Sequence, residues 1–127
     1  MRVLLADGHP QLLEAIRSFL EPHLNVVGCV NNGESLFEDA MMLQPDVIVT
    51  DISMPKLSGI EAAKRLRESG CPSKVVFLAD YGDPDFVSAT LKTGALAYVL
   101  KTSVDTDLLL AIREAFAGRG FVSALGK

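Results

Sequence analysis

Residues 45–59 read PDVIVTDISMPKLSG, an apolar run that ends on an acidic side chain and is followed by a loop containing Pro, Ser and Gly. The run at 47–50 shows no alternation of apolar and polar residues, which is typical of a strand buried on both faces of a parallel sheet. Asp51 follows this run directly. We therefore expect a central strand that carries a carboxylate at its carboxyl end, on the floor of a crevice.

Four similar runs occur elsewhere in the chain, at residues 2–6, 25–30, 74–78 and 97–100. The stretches between them have helical spacing, with apolar residues three and four positions apart. In PQLLEAIRSFL, this spacing places on one side of the helix Leu12, Leu13, Ile16, Phe19 and Leu20. In ESLFEDAMMLQ, it does the same for Leu36, Phe37, Ala40, Met41 and Leu43. The alternation predicts five β-α units, which by right-handed crossovers form a parallel sheet with helices on both faces.

Residues that favour helix ends support these boundaries. Pro10 and Pro84 suit first helical positions, where the missing amide hydrogen costs nothing. Ser58 and Glu61 have the spacing of a capping box at the start of GIEAAKRLRE. Glycines are expected to end three of the helices, at Gly70, Gly94 and Gly118.

The composition describes one globular domain. The 127 residues are 49% hydrophobic and 22% charged, and the net charge of −4 argues against a nucleic-acid or membrane surface. No apolar run approaches the ~20 residues of a membrane span. Cys29 and Cys71 lack metal-ligand spacing and are expected to be reduced and packed, as in a cytosolic protein. His9 and His23 stand apart without obvious partners, so no histidine metal site is expected.

Three polar residues follow predicted strands, namely Asp7, Asp51 and Lys101. Each alone could be a charge on a solvated loop, but ligands of open α/β sheets bind at the carboxyl ends of the strands. A carboxylate can act as a nucleophile toward phosphorus and form an aspartyl phosphate. This chemistry needs the phosphoryl charge neutralised by Mg²⁺ on oxygen ligands and by a lysine. The three residues therefore fit phosphoryl acceptance at Asp51, with Asp7 serving the metal.

The segments VLLADGHP, PDVIVTDISMPKLSGIEA, KVVFLA and GALAYVLKTSVDTDLLLAIREAFAG resemble the CheY-like receiver domain of bacterial two-component response regulators. The resemblance spans residues 2–118 and implies a flavodoxin-like (βα)5 fold with a doubly wound parallel sheet of strand order 2-1-3-4-5. It also implies that Asp51 is the phosphoacceptor, Lys101 its partner and the backbone carbonyl of Ser53 a metal ligand. Tyr98 would match the aromatic switch on the fifth strand.

ADGHP and LKT resemble the NarL/FixJ-type subgroup, a LuxR-type group whose members are mostly transcription regulators. Such proteins carry a helix-turn-helix after the receiver, and the residues after Gly118 are too few to form one. We therefore expect a receiver domain at 1–118 and a tail at 119–127, or the start of a linker to an absent output domain. DNA would be bound only through that output domain.

Two positions depart from the receiver pattern. Gly8 stands where the pattern has a second acid that binds Mg²⁺, and Ala79 stands where it has a Thr or Ser hydroxyl. The resemblance thus implies a weakened Mg²⁺ site and the loss of a donor to the phosphoryl group. Asp80 is expected to point to the opposite side of the strand from its neighbour Ala79, because successive side chains alternate in direction. Asp83 is expected to cap a helix. Neither is expected to compensate.

Two accounts of function stay open. In the first, a cognate histidine kinase phosphorylates Asp51 slowly and with weak Mg²⁺ dependence, and the only catalysis is self-phosphorylation from a phosphodonor and self-dephosphorylation. In the second, the chain is a degenerate receiver that acts by partner binding or homodimerisation. Both place it in the cytoplasm, away from membranes. A flavodoxin-like enzyme or nucleotide-binding domain is disfavoured, because DGHPQ lacks the glycine pattern of a phosphate-binding loop.

The resemblance also implies an output surface on the fourth helix, fifth strand and fifth helix. Val87 and Leu91 have helical spacing that equally fits plain core residues, and we favour the core for these two. Because Ala79 has no hydroxyl, Tyr98 is expected to respond weakly to modification of Asp51. The residues of the surface are Phe86, Val87, Leu91, Lys92, Tyr98, Asp107 and Arg113.

Overall fold

The computed structural model describes residues 1–80 and 84–123, without the side chains of 84–86 and 89. The five predicted strands form where they were expected, at Arg2–Ala6 (β1), Asn25–Val30 (β2), Val47–Asp51 (β3), Lys74–Ala79 (β4) and Ala97–Leu100 (β5). The helices are Pro10–Leu20 (α1), Gly33–Leu43 (α2), Gly59–Glu68 (α3), Pro84–Leu91 (α4) and Leu109–Phe116 (α5). A 3₁₀ turn at Lys101–Ser103 and a π turn at Val104–Leu108 join β5 to α5.

The strands form one parallel sheet in the order β2-β1-β3-β4-β5, which confirms the predicted flavodoxin-like topology. β3 lies between β1 and β4, and all five of its residues are buried. β2 differs from the expectation of burial on both faces, because it is an edge strand and none of its residues is fully buried. The strand that carries Asp51 is therefore the best-protected strand of the sheet.

A sixth strand, Phe121–Val122 (β6), pairs in parallel with β5 and was absent from the prediction. It lies within residues 119–127, which were predicted to be a tail or the start of a linker. Ser123 ties this segment down: its amide donates to the Tyr98 carbonyl at 2.9 Å, and its Oγ accepts from the Leu100 amide at 3.1 Å and donates to Asp107 at 2.8 Å. The chain thus covers the outer edge of β5 before residues 124–127, which lie outside the described part.

Helices cover both faces of the sheet, as the β-α alternation predicted. On one face, α1 and α5 bury Ile16, Leu20 and Ile112 against β1, β3, β4 and β5. On the other face, α2 and α3 pack against β1 and β3, and α4 packs near β4 and β5. None of the described helices is long and apolar enough to cross a membrane.

Two packing predictions were wrong at exposed positions. Met41 was placed on the buried side of α2 but is 37% exposed, because Leu36 and Ala40 already fill the contact with the sheet. Cys29 was expected to be packed but is exposed, since it lies on the edge strand β2. Both cysteines are free thiols, as predicted.

The helix-end signals are confirmed. Pro10 occupies the first turn of α1, α4 begins at Pro84, and the Ser58 side chain accepts a hydrogen bond from the Glu61 amide at 3.1 Å. The three predicted helix-ending glycines all have positive φ, at +78°, +99° and +83° for Gly70, Gly94 and Gly118. Local sequence therefore sets the helix ends before tertiary packing acts on them.

Gly59 fixes the loop between β3 and α3. Its amide donates to the Ile52 carbonyl at 2.7 Å, and a Cβ built on it would lie 1.9 Å from the carbonyl oxygen of Asp51. A backbone atom cannot move aside as a flexible side chain can. The end of the strand that carries Asp51 therefore requires glycine at this position.

We expect Gly59→Ala to lower the free energy of unfolding by at least about 2 kcal/mol, because the methyl group overpacks the backbone at Asp51. Gly8→Ala is the matched control: its Cβ would meet its nearest atom, Pro55 Cδ, at an ordinary 3.4 Å. We expect this control to change stability by less than about 0.5 kcal/mol. Chemical denaturation measures both variants, and equal stabilities for the two would contradict this account of the loop.

Candidate functional site

The carboxyl ends of β1, β3 and β5 meet at one edge of the sheet. β1 and β3 are neighbours, with Ala6 opposite Thr50, so the residues that follow lie side by side. β5 is separated from β3 only by β4. This register brings together Asp7, Asp51 and Lys101, although they are far apart in the sequence. The predicted convergence of the three residues is confirmed by the geometry.

The centre of the site is an ion pair. The Nζ of Lys101 lies 2.9 Å from Oδ2 of Asp51 and 3.6 Å from Oδ2 of Asp7. The side chains are 10%, 6% and 1% exposed for Lys101, Asp51 and Asp7, respectively. Charged groups are rarely buried unless they are paired. The reading of these residues as charges on solvated loops is therefore wrong.

Of the two carboxylate oxygens of Asp7, Oδ1 is the one that described residues hold. Its Oδ1 accepts a hydrogen bond from the His9 amide at 2.8 Å and lies 3.0 Å from His9 Nδ1. Its buried Oδ2 has no hydrogen-bond partner among residues 1–80 and 84–123, and the Lys101 ammonium at 3.6 Å is too far for one. A buried carboxylate oxygen without a partner is costly, so this atom is a ready ligand for a cation.

Asp51 and Lys101 each shift the pKa of the other. Burial raises the pKa of Asp51 above its usual value; the hydrogen bond from Lys101 opposes this rise, and the charge of Asp7 adds to it. Burial acts to lower the pKa of Lys101, but the hydrogen bond and charge of Asp51, with the charges of Asp7 and Asp80, outweigh it and raise that pKa. Lys101 is therefore a fixed positive charge beside Asp51.

Asp80 reaches the site, contrary to the prediction that it points away. Its exposed carboxylate lies 4.0 Å from Lys101 Nζ. The alternation of side chains in a strand did not apply, because β4 ends at Ala79 and Asp80 already belongs to the loop. Asp83, the other acid considered as a substitute, lies outside the described residues.

The loop around Gly8 has room for a side chain. A Cβ on Gly8 would meet only Pro55 Cδ at 3.4 Å and the Asn31 carbonyl oxygen at 4.0 Å. The backbone of Gly8 is not in the left-handed region, so a larger residue fits without strain. The loop is therefore compatible with a carboxylate that this chain does not have.

Three side chains could hold a metal ion together. The ligand atoms of Asp7, His9 and Asp51 all lie within 4.8 Å of one another. The two carboxylates match the predicted metal ligands, while the role of the Ser53 carbonyl stays a prediction. No partner for His9 was evident from the sequence, whereas in the structure its ring lies beside Asp7. Its position two residues beyond a strand-ending carboxylate is the signal that could have revealed it.

Tyr98 lies entirely inside the protein. It is 0% exposed and belongs to a hydrophobic cluster that also contains Phe77, Ala79 and Val87. Val87 is buried and Leu91 packs against the same cluster, so the prediction that both are core residues is confirmed. Lys92 and Arg113 are exposed, while the side chain of Phe86 lies outside the described part. The switch role of Tyr98 stays a prediction.

Comparison with known proteins identifies the family. Residues 3–113 match the family described as the response regulator receiver domain. Among curated proteins, the transcriptional regulatory protein YvfU of Bacillus subtilis is 36% identical over 121 residues, covering 94% of this chain and 60% of YvfU. The nitrate/nitrite response regulator protein NarL of Escherichia coli is 36% identical over 123 residues, covering 95% of this chain and 57% of NarL. The chain thus spans less than two thirds of these relatives.

Solved structures agree with this assignment. The signal receiver domain of a NarL response regulator from Mycobacterium tuberculosis superposes with a TM-score of 0.87 at 30% identity, covering 93% of this chain and 97% of that one. The isolated receiver domain of RcsB from Salmonella enterica, determined with phosphomimetic BeF₃⁻, gives 0.86 at 32% identity, with coverages of 96% and 92%. The chain therefore belongs to the receiver domains of two-component response regulators, and its close relatives are of the NarL type.

Proposed function

We propose that this receiver domain accepts a phosphoryl group on Asp51 from a histidine kinase and controls a transcriptional output. The buried Asp51–Lys101 pair, with 2.9 Å between Oδ2 and Nζ, is the observation that carries the proposal. The output is inferred from relatives such as the transcriptional regulatory protein YvfU, of which this chain covers 60%. In this proposal, DNA is bound by a domain outside the 127 residues.

In this proposal, two side chains carry out the chemistry. A carboxylate oxygen of Asp51 attacks phosphorus and forms an O–P bond, while the bond between phosphorus and the donor breaks and the donor keeps the electron pair. Lys101 neutralises the charge on the phosphoryl oxygens. Burial favours this step, because a poorly hydrated carboxylate has less water to lose before it attacks.

Asp7 and Asp51, with the backbone carbonyl of Ser53, would hold Mg²⁺ in this proposal. The fit rests on the oxygen donors of the two carboxylates and on the buried Oδ2 of Asp7, which has no hydrogen-bond partner in the described part of the chain. The ion would supply charge neutralisation of the phosphoryl group when bound. Since Gly8 contributes no carboxylate, we expect Mg²⁺ to bind more weakly than it would beside a third acid.

A second candidate is a receiver that signals without phosphorylation, as a protein-interaction or dimerisation module. The surroundings of Tyr98 favour it, because this fully buried side chain belongs to a cluster of hydrophobic residues. Ala79, in the same cluster, has no hydroxyl to connect Asp51 with Tyr98. In both candidates we expect Tyr98 to keep its rotamer when a phosphoryl mimic is added.

Incubation with acetyl phosphate and Mg²⁺, followed by intact-mass measurement, tests phosphoryl acceptance. We expect the parent chain to gain one phosphoryl group slowly and Asp51→Asn to gain none. Restoring one donor group is worth roughly 10²–10³ in rate at comparable sites, so Gly8→Asp combined with Ala79→Thr is expected to accelerate the gain.

The outcomes separate the two candidates. A parent that gains no mass, next to a double variant that does, would contradict phosphorylation of the natural chain and support the interaction module. A mass gain that survives in Asp51→Asn would contradict the assignment of the acceptor.

Lys101 offers a separate test of the mechanism. Lys101→Met keeps the length of the side chain but removes the charge that faces Asp51, so we expect the phosphorylation rate to fall by roughly 10²–10³. Lys92→Met is the matched control, since Lys92 is exposed. An equal rate in parent and Lys101→Met, measured by the same mass assay, would exclude Lys101 from the chemistry.

A further inference from the structure

We propose that His9 is a further protein ligand of the metal site formed with Asp7 and Asp51, and that this site prefers Mn²⁺ and similar transition ions over Mg²⁺. The inference deepens the proposed function, on which it rests for its biological role. It concerns only metal binding, however, and can be tested without a phosphodonor.

The spacing of the ligand atoms carries the argument. Nδ1 of His9 lies 3.0 Å from Oδ1 of Asp7. Two adjacent ligands of one octahedral ion, with bonds of about 2.1 Å, are separated by about 3.0 Å. Asp51 completes a group whose ligand atoms are within 4.8 Å of one another.

A second observation points independently to a cation. Oδ2 of Asp7 is buried without a hydrogen-bond partner, on a side chain that is only 1% exposed. The neighbouring ammonium of Lys101 is 3.6 Å away and already bonded to Asp51 at 2.9 Å. The carboxylate of Asp7 therefore retains binding capacity that the described side chains do not use.

The ring of His9 has no other structural task among the described contacts. His9 is the N-cap residue of α1, but its side chain makes no capping hydrogen bond, and the helix starts at Pro10. The side chain is 71% exposed, so it packs little apolar surface. Among the described residues, the hydrogen bonds and ion pairs of its ring involve Asp7 alone.

The donor set determines the preference between metals. Mg²⁺ and Mn²⁺ both favour carboxylate, carbonyl and water oxygens, but transition ions also accept imidazole nitrogen, weakly for Mn²⁺ and more strongly for Co²⁺ and Zn²⁺. Gly8 leaves this edge with the carboxylates of Asp7 and Asp51 and the imidazole of His9. A site that adds an imidazole nitrogen to its oxygen ligands therefore binds a transition ion in preference to Mg²⁺.

Mn²⁺ binding to the whole chain tests the proposal, because Mn²⁺ has low affinity for the exposed thiol of Cys29. Pulsed electron paramagnetic resonance on protein labelled with ¹⁵N-histidine detects a ligating imidazole nitrogen directly. We expect this coupling in the parent, and a higher affinity for Mn²⁺ than for Mg²⁺.

His9→Ala is expected to remove the nitrogen coupling and to weaken Mn²⁺ binding by about tenfold, with less than about twofold loss for Mg²⁺. His23→Ala is the matched control, since His23 is the other histidine of the chain and is exposed. Gly8→Asp, which adds an oxygen ligand in open space, is expected to raise the affinity for Mg²⁺.

Three results would overturn the proposal: no nitrogen coupling in the parent, coupling that persists in His9→Ala, or equal losses for Mn²⁺ and Mg²⁺. The last would show that His9 only positions Asp7 through their contact. Mn²⁺ bound through His9 in a chain that never gains a phosphoryl group would contradict the proposed function and leave the metal site intact. The parent spectrum decides the central point even where a variant fails to fold.

Discussion

The ion pair between Lys101 and Asp51 is the constraint on which the rest of the site depends. It joins the ends of β3 and β5 across β4 and keeps two buried charges within 2.9 Å. Removing one partner would leave an uncompensated charge in a poorly hydrated place. Gly59 lets the chain turn directly behind Asp51, and Ser123 secures the edge of β5 next to Lys101. Much of the fold at this edge therefore serves to hold one carboxylate against one ammonium.

The site combines this preserved pair with altered surroundings. Gly8 and Ala79 reduce the number of groups that could contact a metal or a phosphoryl oxygen, while the space around Gly8 remains open. His9 offers a nitrogen ligand beside the half-satisfied carboxylate of Asp7. These features fit the proposals that Asp51 accepts a phosphoryl group and that His9 takes part in metal binding.

Sequence reasoning succeeded where a local rule decides the structure. Continuous apolar runs located the strands, and proline and glycine marked the helix ends. It failed where the structure or exposure of a residue depends on its position in the tertiary fold. A two-residue strand such as β6 carries no periodicity, and the exposure of Cys29 depends on β2 being an edge strand. Asp7, Asp51 and Lys101 were predictable from strand ends, whereas the approach of Asp80 to Lys101 depends on a loop conformation that no spacing rule describes.

The central claim is that Asp51, Asp7 and Lys101 form one buried, electrostatically coupled cluster. Titration of the Asp51 carboxyl carbon by ¹³C NMR, in metal-free parent and in Asp7→Asn, tests it most directly. The account predicts an Asp51 pKa above the ordinary 3.8, because burial and the charge of Asp7 both disfavour the ionised form, and a lower pKa in Asp7→Asn. An Asp51 pKa at or below 3.8, or one that Asp7→Asn leaves unchanged, would contradict the account.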